Sequence, residues 1–305
     1  MGGFKDVRIA IQGELGSFSH QAALRLFAGP EIVPCALSAQ VFESLENGAV
    51  DAAVIPIENT LAGPVAEHYD LLLKHDVRIV KEIRLRIRHN LIGMPGAKLE
   101  EISQVMSHPV ALAQCRIFLA KHPGIKVLPF YDTAGSVKHL METRDAHAAG
   151  IAGEQAAAEF SAEILASGIE DNAENYTRFL VVKKNQPQVP PLRSASVGMT
   201  KEAPVGMTKE ALAGMTDDVV QPNKLSLAFA VEHKPGTLVA ALEGMARAGV
   251  NLTRIESRPV PGRPWEYVFF VDLGFVQPQM AEAALASLTT HCNMVKELGR
   301  YVAAQ

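Results

Sequence analysis

The sequence has few of the features that mark exported, membrane-spanning or metal-dependent proteins. Its three cysteines are widely separated among 305 residues and form neither a Cys-x-x-Cys pair nor a metal-ligand spacing. No window approaches the roughly 18 uninterrupted apolar residues that a membrane span needs. The net charge is -4 without a basic stripe, and no signal-peptide core precedes the first strand. We therefore expect a cytoplasmic protein with reduced thiols and with no nucleic-acid or membrane partner.

The periodicity of the chain changes twice along its length. Residues 1–185 alternate between short apolar strands and helical stretches, which is typical of α/β sheets covered by helices. Residues 186–222 lose periodicity and repeat a Val-Gly-Met-Thr-Lys-Glu-Ala segment, as a linker tolerates. Residues 223–305 follow a β-α-β-β-α-β order, the ferredoxin-like α+β arrangement. The sequence therefore predicts an α/β domain, a linker and a smaller α+β domain.

Small polar residues follow four of the predicted strands in the first domain. In open α/β sheets, ligand-binding groups gather at such strand ends. Arg178 is the cation of this set, and its planar guanidinium matches a carboxylate. The pattern predicts a polar pocket for a small, oxygen-rich anion. The residues are Asn59, Thr60, Ser107, Gln114, Thr133, Thr177 and Arg178.

Four ordered motifs in the first domain resemble prephenate dehydratase. They are Gly13-x-x-Gly16-Ser17-Phe18-Ser19, Pro56-Ile57-Glu58-Asn59-Thr60, Ser107-His108-Pro109 with Gln114-Cys115, and Thr177-Arg178-Phe179. Two later motifs resemble the phenylalanine-sensing ACT domain of the same enzymes. They are Gly236-Thr237-Leu238-Val239 and Glu256-Ser257-Arg258-Pro259. The resemblance implies two lobes like those of periplasmic binding proteins, with a cleft between them and an ACT domain after the linker. The chain is expected to cross between lobes near Glu82-Ile83 and near Thr177.

The resemblance also implies a reaction and roles for the residues. Prephenate loses CO2 and its ring hydroxyl to give phenylpyruvate, and neither a cofactor nor a metal is required. Thr177 is expected to donate a proton or hydrogen bond to the leaving hydroxyl, and Arg178 to hold a substrate carboxylate. The expected substrate-binding residues are Asn59, Thr60, Ser107, Gln114, Thr133, Phe179 and Ser17. Without the resemblance, these residues read as strand starts, turns and helix caps.

L-Phenylalanine is the effector that the resemblance implies. Gly236, Thr237, Leu238 and Val239 open a helix whose free amides suit an amino acid carboxylate. The effector's ammonium group is expected to meet a set on the next strand. That set is Asn251, Glu256 and Ser257. The family has Ala where this chain has Thr237, which leaves the fit of phenylalanine open. Effector sites in this family form between subunits, so a homodimer or homotetramer is expected.

Three other functions compete with this interpretation. Arogenate dehydratase shares the motifs, and segments 132–135 and 168–172 look similar to plant-type sequences that prefer arogenate. A non-catalytic protein that binds or senses small anions would use the same two lobes. A nucleotide-binding enzyme built on the Gly13 loop is the weakest of the three, because no lysine follows the glycines.

Overall fold

The computed structural model describes residues 7–185, 221–260, 262–263 and 265–304. The predicted linker over residues 186–222, apart from its last two positions, lies outside the described residues. The described residues form three sheets: one in each of two lobes, and a third in a C-terminal unit.

The first lobe begins the chain. Its elements are β1 (Arg8–Gln12), α1 (Phe18–Leu26), β2 (Glu31–Cys35), α2 (Ser38–Glu46), β3 (Ala52–Asn59), β4 (Gly63–Pro64), α3 (Ala66–Lys74) and β5 (Val77–Arg86). Strand β1 pairs in parallel with β2 and β3, as short strands joined by helices require. The sheet is therefore of the α/β type that the sequence predicts.

The second lobe follows and has its own five-stranded sheet. Its elements are β6 (Asn90–Gly93), a 3-10 helix (Leu99–Glu101), β7 (Gln104–Ser107), α4 (Pro109–Ala113), α5 (Arg116–Ala120), β8 (Lys126–Pro129), α6 (Thr133–Thr143), β9 (Ala148–Ala152), α7 (Glu154–Phe160) and β10 (Glu163–Ser167). The strand order is β10-β6-β9-β7-β8. The periodicity of residues 111–121 predicts one helix, and that prediction is wrong. Two short helices meet there, at Gln114 and Cys115.

Strand β11 (Tyr176–Lys184) returns the chain to the first sheet, whose order is β2-β1-β3-β11-β5. The first crossing between lobes runs through residues 87–89, after β5 ends. The predicted crossing at Glu82 is wrong, because Glu82 lies within β5 and is paired with Leu180. The second crossing spans residues 168–175, just before Thr177, as predicted.

Successive residues of β11 point to opposite faces of the sheet. Phe179 and Val181 pack into a core that includes residues of α1. Leu180 and Val182 pack into a second core, which also contains residues of the C-terminal unit. Strand β11 therefore separates the cleft side of the first lobe from the side that the C-terminal unit covers.

The C-terminal unit has the ferredoxin-like element order that the sequence predicts. Its elements are β12 (Lys224–Ala230), α8 (Thr237–Arg247), β13 (Asn251–Pro259), β14 (Tyr267–Gly274), α9 (Pro278–His291) and β15 (Met294–Tyr301). The antiparallel sheet has the order β13-β14-β12-β15. Its two helices cover one face. The other face, through Ala228, Phe270 and Leu298, packs against the first lobe.

Candidate active site

A cleft of about 560 Å³ lies between the two lobes. Four of the predicted site residues line it together: Ser17, Thr177 and Phe179 from the first lobe, and Thr133 from the second. Ser17 caps the start of α1, Thr133 begins α6, and Thr177 and Phe179 lie within the first four residues of β11. Within the described part of the chain, the cleft walls carry no lysine or arginine. An anion in this cleft would therefore meet hydroxyls, backbone N–H groups and the imidazole of His108.

The hydroxyl of Thr177 accepts a hydrogen bond from the side-chain amide of Asn59, with Nδ2 and Oγ1 2.9 Å apart. The orientation of that amide is fixed, because its oxygen accepts the backbone N–H groups of Leu61 and Ala62 at 3.0 and 2.8 Å. The nitrogen can therefore only donate. The Thr177 oxygen is occupied as an acceptor, and its own proton has no acceptor among the described residues. Thr177 is thus a buried hydroxyl, 8% exposed, that can donate to a molecule in the cleft.

Two further amides continue this arrangement away from Thr177. Asn59 Nδ2 also donates to Asn175 Oδ1 at 2.7 Å, and Asn175 Nδ2 donates to Gln114 Oε1 at 2.9 Å. We call Asn59, Asn175 and Gln114 the amide chain. Gln114 does not line the cleft, so its contact is with Asn175 rather than with a ligand there. The sequence analysis did not place Asn175 in the site, although it lies two positions before Thr177.

The structure gives two of the predicted substrate-binding hydroxyls other partners. Ser107 is fully buried and donates to the Ile151 carbonyl at 2.6 Å. Thr60 donates to the Glu174 carbonyl at 3.0 Å and accepts the Tyr176 N–H at the same distance. Neither residue lines the cleft. Their hydroxyls join strands and loops, and the prediction that they contact substrate is corrected on this geometry.

Arg178 is the largest departure from the sequence analysis. Because it follows Thr177 on a strand, its side chain points to the opposite face, toward the C-terminal unit. Its guanidinium contacts Glu82 at 2.6 Å, Asp272 at 2.5 Å and the Tyr301 hydroxyl at 2.9 Å. Burial opposes the charge, but Asp272, Tyr301 and Glu82 hold the pKa of Arg178 above its usual range. The predicted contact between Arg178 and a substrate carboxylate in the cleft is therefore wrong.

Two helix starts provide the neutral donors that remain. Ser17 caps α1, and its hydroxyl accepts the His20 N–H at 3.3 Å. Asp132 caps α6 by accepting the Gly135 N–H at 2.7 Å, and Thr133 is the first residue of that helix. The first N–H groups of a helix have no acceptor within the helix, and its dipole favours an anion there. Both starts line the cleft, from opposite sides. The start of α1 can receive a carboxylate, whereas at α6 the Asp132 carboxylate already accepts the Gly135 N–H and would repel a second anion.

Glu14 joins the two lobes across the cleft. Its carboxylate accepts hydrogen bonds from the Tyr131 hydroxyl and from Lys138 Nζ, both at 3.0 Å. Desolvation and the bond to Glu14 raise the pKa of Tyr131 to about 12, so this donor keeps its proton at neutral pH. Glu14 is engaged by these two groups, which makes it a weaker candidate for an acid than Thr177.

The predicted effector residues around α8 lie at the surface of the C-terminal unit. Gly236 adopts a left-handed φ of 84° immediately before the helix, a conformation that favours glycine. The Thr237 hydroxyl lies 2.6 and 2.9 Å from the carbonyls of Glu232 and Lys234, so its proton is used within this loop. Leu238 packs against the core of the unit, whereas Val239 is 57% exposed.

Strand β13 carries the other predicted effector residues along the edge of its sheet. Asn251 and Ser257 are exposed. Glu256 lies 3.8 Å from Arg254, on the face that is directed to the first lobe. Arg254 forms an ion pair at 2.9 Å with Glu58, the residue before Asn59. The predicted effector strand is therefore in direct contact with the segment that positions Thr177.

Over residues 7–185 and the described positions from 221 to 304, no group of three or more His, Cys, Asp or Glu side chains is placed to hold a metal ion. In the same part of the chain, no helix combines the length and apolar character needed to cross a membrane.

Known proteins match the chain over nearly its whole length. Residues 9–187 match the prephenate dehydratase family, and residues 226–279 match the ACT domain. Arogenate dehydratase/prephenate dehydratase 2 of Arabidopsis thaliana is 35% identical, over 97% of this chain and 72% of the relative. A prephenate dehydratase from Arthrobacter aurescens, solved with L-Phe, has a TM-score of 0.80 at 28% identity, over 97% of this chain and 90% of that one. GqqA, described as a quorum quenching acylase, also has a TM-score of 0.80, at 30% identity over 97% and 98%.

Proposed function

Because the chain belongs to the prephenate dehydratase family, we propose that it converts prephenate to phenylpyruvate, with loss of CO2 and water, and that phenylalanine regulates it. The observation that carries this proposal is the Thr177 hydroxyl, whose oxygen is occupied by Asn59 and whose proton is available to the cleft. The proposal assigns catalysis to residues 1–185 and regulation to residues 223–305, with residues 186–222 between them.

Thr177 acts on the leaving group in this proposal. As CO2 departs, its bonding electrons enter the ring and expel the ring hydroxyl, and aromatisation supplies the driving force. Hydroxide is a poor leaving group, so a hydrogen bond from Thr177 to its oxygen stabilises the charge that develops there. Threonine is a very weak acid, so its benefit comes from position and from the absence of water around a buried hydroxyl.

One carboxylate of prephenate is assigned to the start of α1 at Ser17, and at the start of α6, where Asp132 already accepts the Gly135 N–H, the Thr133 hydroxyl is assigned a hydrogen bond to the substrate. These starts lie in opposite lobes, so the substrate would hold the lobes together. Phe179 packs beside the ring. Asn59 and Gln114 contact Thr177 and Asn175 rather than the substrate. In this proposal the Thr177 hydroxyl contacts the substrate, and the amide chain orients that hydroxyl.

Arogenate is the second candidate substrate, and one observation favours it. Arogenate carries an ammonium group where prephenate has a ketone. Asp132 lines the cleft, and within the described walls no lysine or arginine competes for it. Desolvation raises the pKa of Asp132, and an adjacent ammonium group would favour its charged form. The Arabidopsis relative is named for both dehydratase activities.

An acylase activity has less support in this chain. Amide hydrolysis by a hydroxyl nucleophile needs a neighbouring base to take its proton. Thr177 has an amide donor beside it instead of a base. Ser38 and His68 do form a hydroxyl–imidazole pair at 3.1 Å, but both side chains are buried and neither lines the cleft.

Regulation is proposed to act at an interface between two copies of the chain. Val239, Leu252 and Ile255 expose apolar surface beside the predicted effector residues, on α8 and on the edge strand β13. A second copy that covers this surface would complete the site for L-phenylalanine in a homodimer or homotetramer. The Arg254–Glu58 ion pair then connects that interface to Asn59. Coupling of this kind is typically worth about 1–3 kcal/mol.

A phenylpyruvate absorbance assay on the full chain tests the proposal. We expect turnover of prephenate, slower turnover of arogenate, and a lower rate when L-phenylalanine is added. Faster turnover of arogenate would move the assignment to the second candidate. Tight binding of prephenate in calorimetry without turnover would support a sensor protein and would contradict a catalytic role. Turnover that does not change when L-phenylalanine is added would contradict the proposed regulation and leave the proposed reaction standing.

A further inference from the structure

His89 lies in the first crossing between the lobes, between β5 and β6, and only 2% of the residue is exposed. Its Nε2 is 2.9 Å from Gln114 Oε1, the far end of the amide chain. Its ring also packs edge-on against Phe18, a cleft residue, with centroids 5.6 Å apart. The sequence analysis did not single out this histidine.

The hydrogen-bond directions determine the tautomer of His89. Asn59 must donate through its nitrogen, because its oxygen accepts two backbone N–H groups. Asn175 therefore accepts from Asn59 through its oxygen and donates to Gln114 through its nitrogen. Gln114 Oε1 can only accept, so His89 Nε2 must carry a proton. His89 Nδ1 is buried and has no hydrogen-bond partner in the described structure, so it carries a bare lone pair.

We propose that His89 is a positioning residue for the dehydration, which orients Thr177 through Gln114, Asn175 and Asn59. The inference rests on the proposed function. The amide chain has one fixed end, at the backbone N–H groups of Leu61 and Ala62. Without the His89 donor, the Gln114 oxygen keeps only the bond from Asn175 and can turn away. The Asn175 amide would then lose its fixed position. The Asn59 nitrogen, which bonds both Asn175 Oδ1 and Thr177 Oγ1, would shift relative to the Thr177 hydroxyl although its direction stays set by Leu61 and Ala62.

The surroundings of His89 favour its neutral form. Burial lowers its pKa, and the contacts with Gln114 and Glu170 oppose this only in part. Glu170 accepts the backbone N–H of His89 at 2.9 Å, and its charge is paired with the guanidinium of Arg86 at 3.7 Å. Phe18, Gln114 and Asn175 complete these neighbours and carry no charge.

Two substitutions at one position test the proposal in the full-length protein. His89→Phe keeps the edge contact with Phe18 but removes the donor, and we expect kcat to fall about tenfold with KM unchanged. His89→Gln places an amide N–H near the position of Nε2 and should restore most of kcat. His122→Phe is the control in the second lobe, because His122 bonds only the Phe118 carbonyl of its own turn. A folded His89→Phe variant with unchanged kcat would overturn the proposal.

The tautomer provides a readout that does not depend on activity. Nitrogen-15 NMR of the wild-type imidazoles should show His89 neutral at pH 7, with the proton on Nε2 and none on Nδ1. A proton on Nδ1 alone would reverse the hydrogen-bond direction and overturn the inference, even if His89→Phe fails to fold. If instead the protein turns over neither prephenate nor arogenate, the tautomer still reports on the amide chain while the proposed function fails separately.

Discussion

At the scale of single residues, the site depends on the direction of hydrogen bonds. The Asn59 amide takes no part in bond breaking, yet it determines that the proton of the Thr177 hydroxyl, and not its oxygen, is available to a ligand. Its oxygen is occupied by Leu61 and Ala62, so its nitrogen faces Thr177. An acceptor at this position would instead take the Thr177 proton and leave no donor for the leaving hydroxyl.

Asn59→Asp reverses this direction with almost no change in shape. The carboxylate still accepts from Leu61 and Ala62, but it now accepts from Thr177 as well. We expect kcat to fall on the order of 10²-fold at neutral pH, with KM changed much less. Steady-state kinetics from pH 8 to pH 5 check this. The loss should diminish as the pH falls, because a protonated carboxyl group regains one donor. An Asn59→Asp enzyme with wild-type kcat at pH 8 would show that the direction is irrelevant.

The sequence predicted part of this site at the residue scale. Thr133 and Thr177 are expected in the cleft from their positions at strand ends, Ser17 and Phe179 are expected there from the family resemblance, and all four line it. The placement of Arg178 failed, although the alternation of side chains along a strand forbids two neighbours from facing one cleft. The partners of Ser107 could not be predicted, because Ile151 is distant in sequence and close only in the fold.

At the scale of elements, the loop between β1 and α1 connects the two lobes. Gly16 has a left-handed φ of 81°, and a Cβ there would lie 2.8 Å from the Ala156 Cα on α7 of the second lobe. The same loop supplies Glu14, which bonds Tyr131 and Lys138 across the cleft. The loop thus sets both the separation of the lobes and the position of Ser17.

Gly16→Ala should separate the lobes as well as strain the backbone. Gly48→Ala is the matched control, because Gly48 has a similar φ of 73° and open space around its Cβ. The control should lose about 1 kcal/mol of unfolding free energy from φ alone. Gly16→Ala should lose about 1–3 kcal/mol more and raise KM, since the backbone of α7 must move. Urea unfolding with steady-state kinetics measures both effects. Equal losses of unfolding free energy in Gly16→Ala and Gly48→Ala would mean that α7 can move away from residue 16 at no cost.

The prediction of elements succeeded where periodicity was strong and failed at short or interrupted segments. The sequence periodicity predicts helices over residues 19–27 and 134–143 and a strand over residues 148–152, and α1, α6 and β9 agree with these bounds to within one residue. Strand β2 was missed because it is short, lies at a sheet edge and contains Pro34, which edge strands tolerate. The break between α4 and α5 was missed because residues 111–121 keep an apolar helical period through the turn.

At the scale of the whole molecule, a buried cluster of charges joins the first lobe to the C-terminal unit. Arg178 and Glu82 come from the first sheet, and Lys224 and Asp272 from the third. The cluster contains two cations and two anions, so it is neutral as a group. It lies directly behind Thr177 on β11, so a shift of the C-terminal sheet reaches the strand that carries the reacting hydroxyl.

Arg178→Ala should affect stability rather than substrate binding. It leaves Glu82 and Asp272 buried with Lys224 as their cation, which costs about 3–5 kcal/mol of unfolding free energy. KM for prephenate should stay near the wild-type value, whereas inhibition by L-phenylalanine should weaken. Arg247→Ala, at an exposed helical ion pair, is the control and should change neither. If Arg178→Ala instead showed a large rise in KM for prephenate and wild-type stability, Arg178 would contact the substrate after all.

The same cluster predicts how stability depends on pH. Burial would raise the pKa of Asp272, but Arg178, Lys224 and Ser226 hold it below its usual range. The ionised Asp272 carboxylate therefore contributes its full share of the unfolding free energy above the pKa of about 3.9 that an unfolded chain has. This share is lost as the pH falls through the lower pKa of Asp272 in the folded protein. In Arg178→Ala the pKa of Asp272 should rise above its value in the unfolded chain. Protonation of Asp272 would then stabilise the folded variant as the pH falls, instead of destabilising it. In urea unfolding, the difference in unfolding free energy between the wild-type protein and Arg178→Ala should decrease from pH 7 to pH 4. A difference that stays constant over this range would contradict the prediction.

The overall architecture was predictable because three patterns agreed: alternating strands and helices, a change of period after residue 185, and a ferredoxin-like element order. The contact between the C-terminal unit and β11 was not predictable. It depends on Asp272 and Tyr301 meeting Arg178 across about 100 residues of sequence, and no local pattern encodes that meeting. The contact through which we propose that regulation reaches catalysis is therefore visible only in the folded molecule.

The most direct test of the central claim compares the prephenate turnover of Thr177→Ser and Thr177→Val. Serine keeps a hydroxyl that can accept from Asn59 and donate to the cleft, whereas valine keeps the shape of threonine without that donor. We predict kcat within about tenfold of wild type for Thr177→Ser, and a loss on the order of 10²-fold or more for Thr177→Val. A folded Thr177→Val enzyme with wild-type kcat would contradict the account.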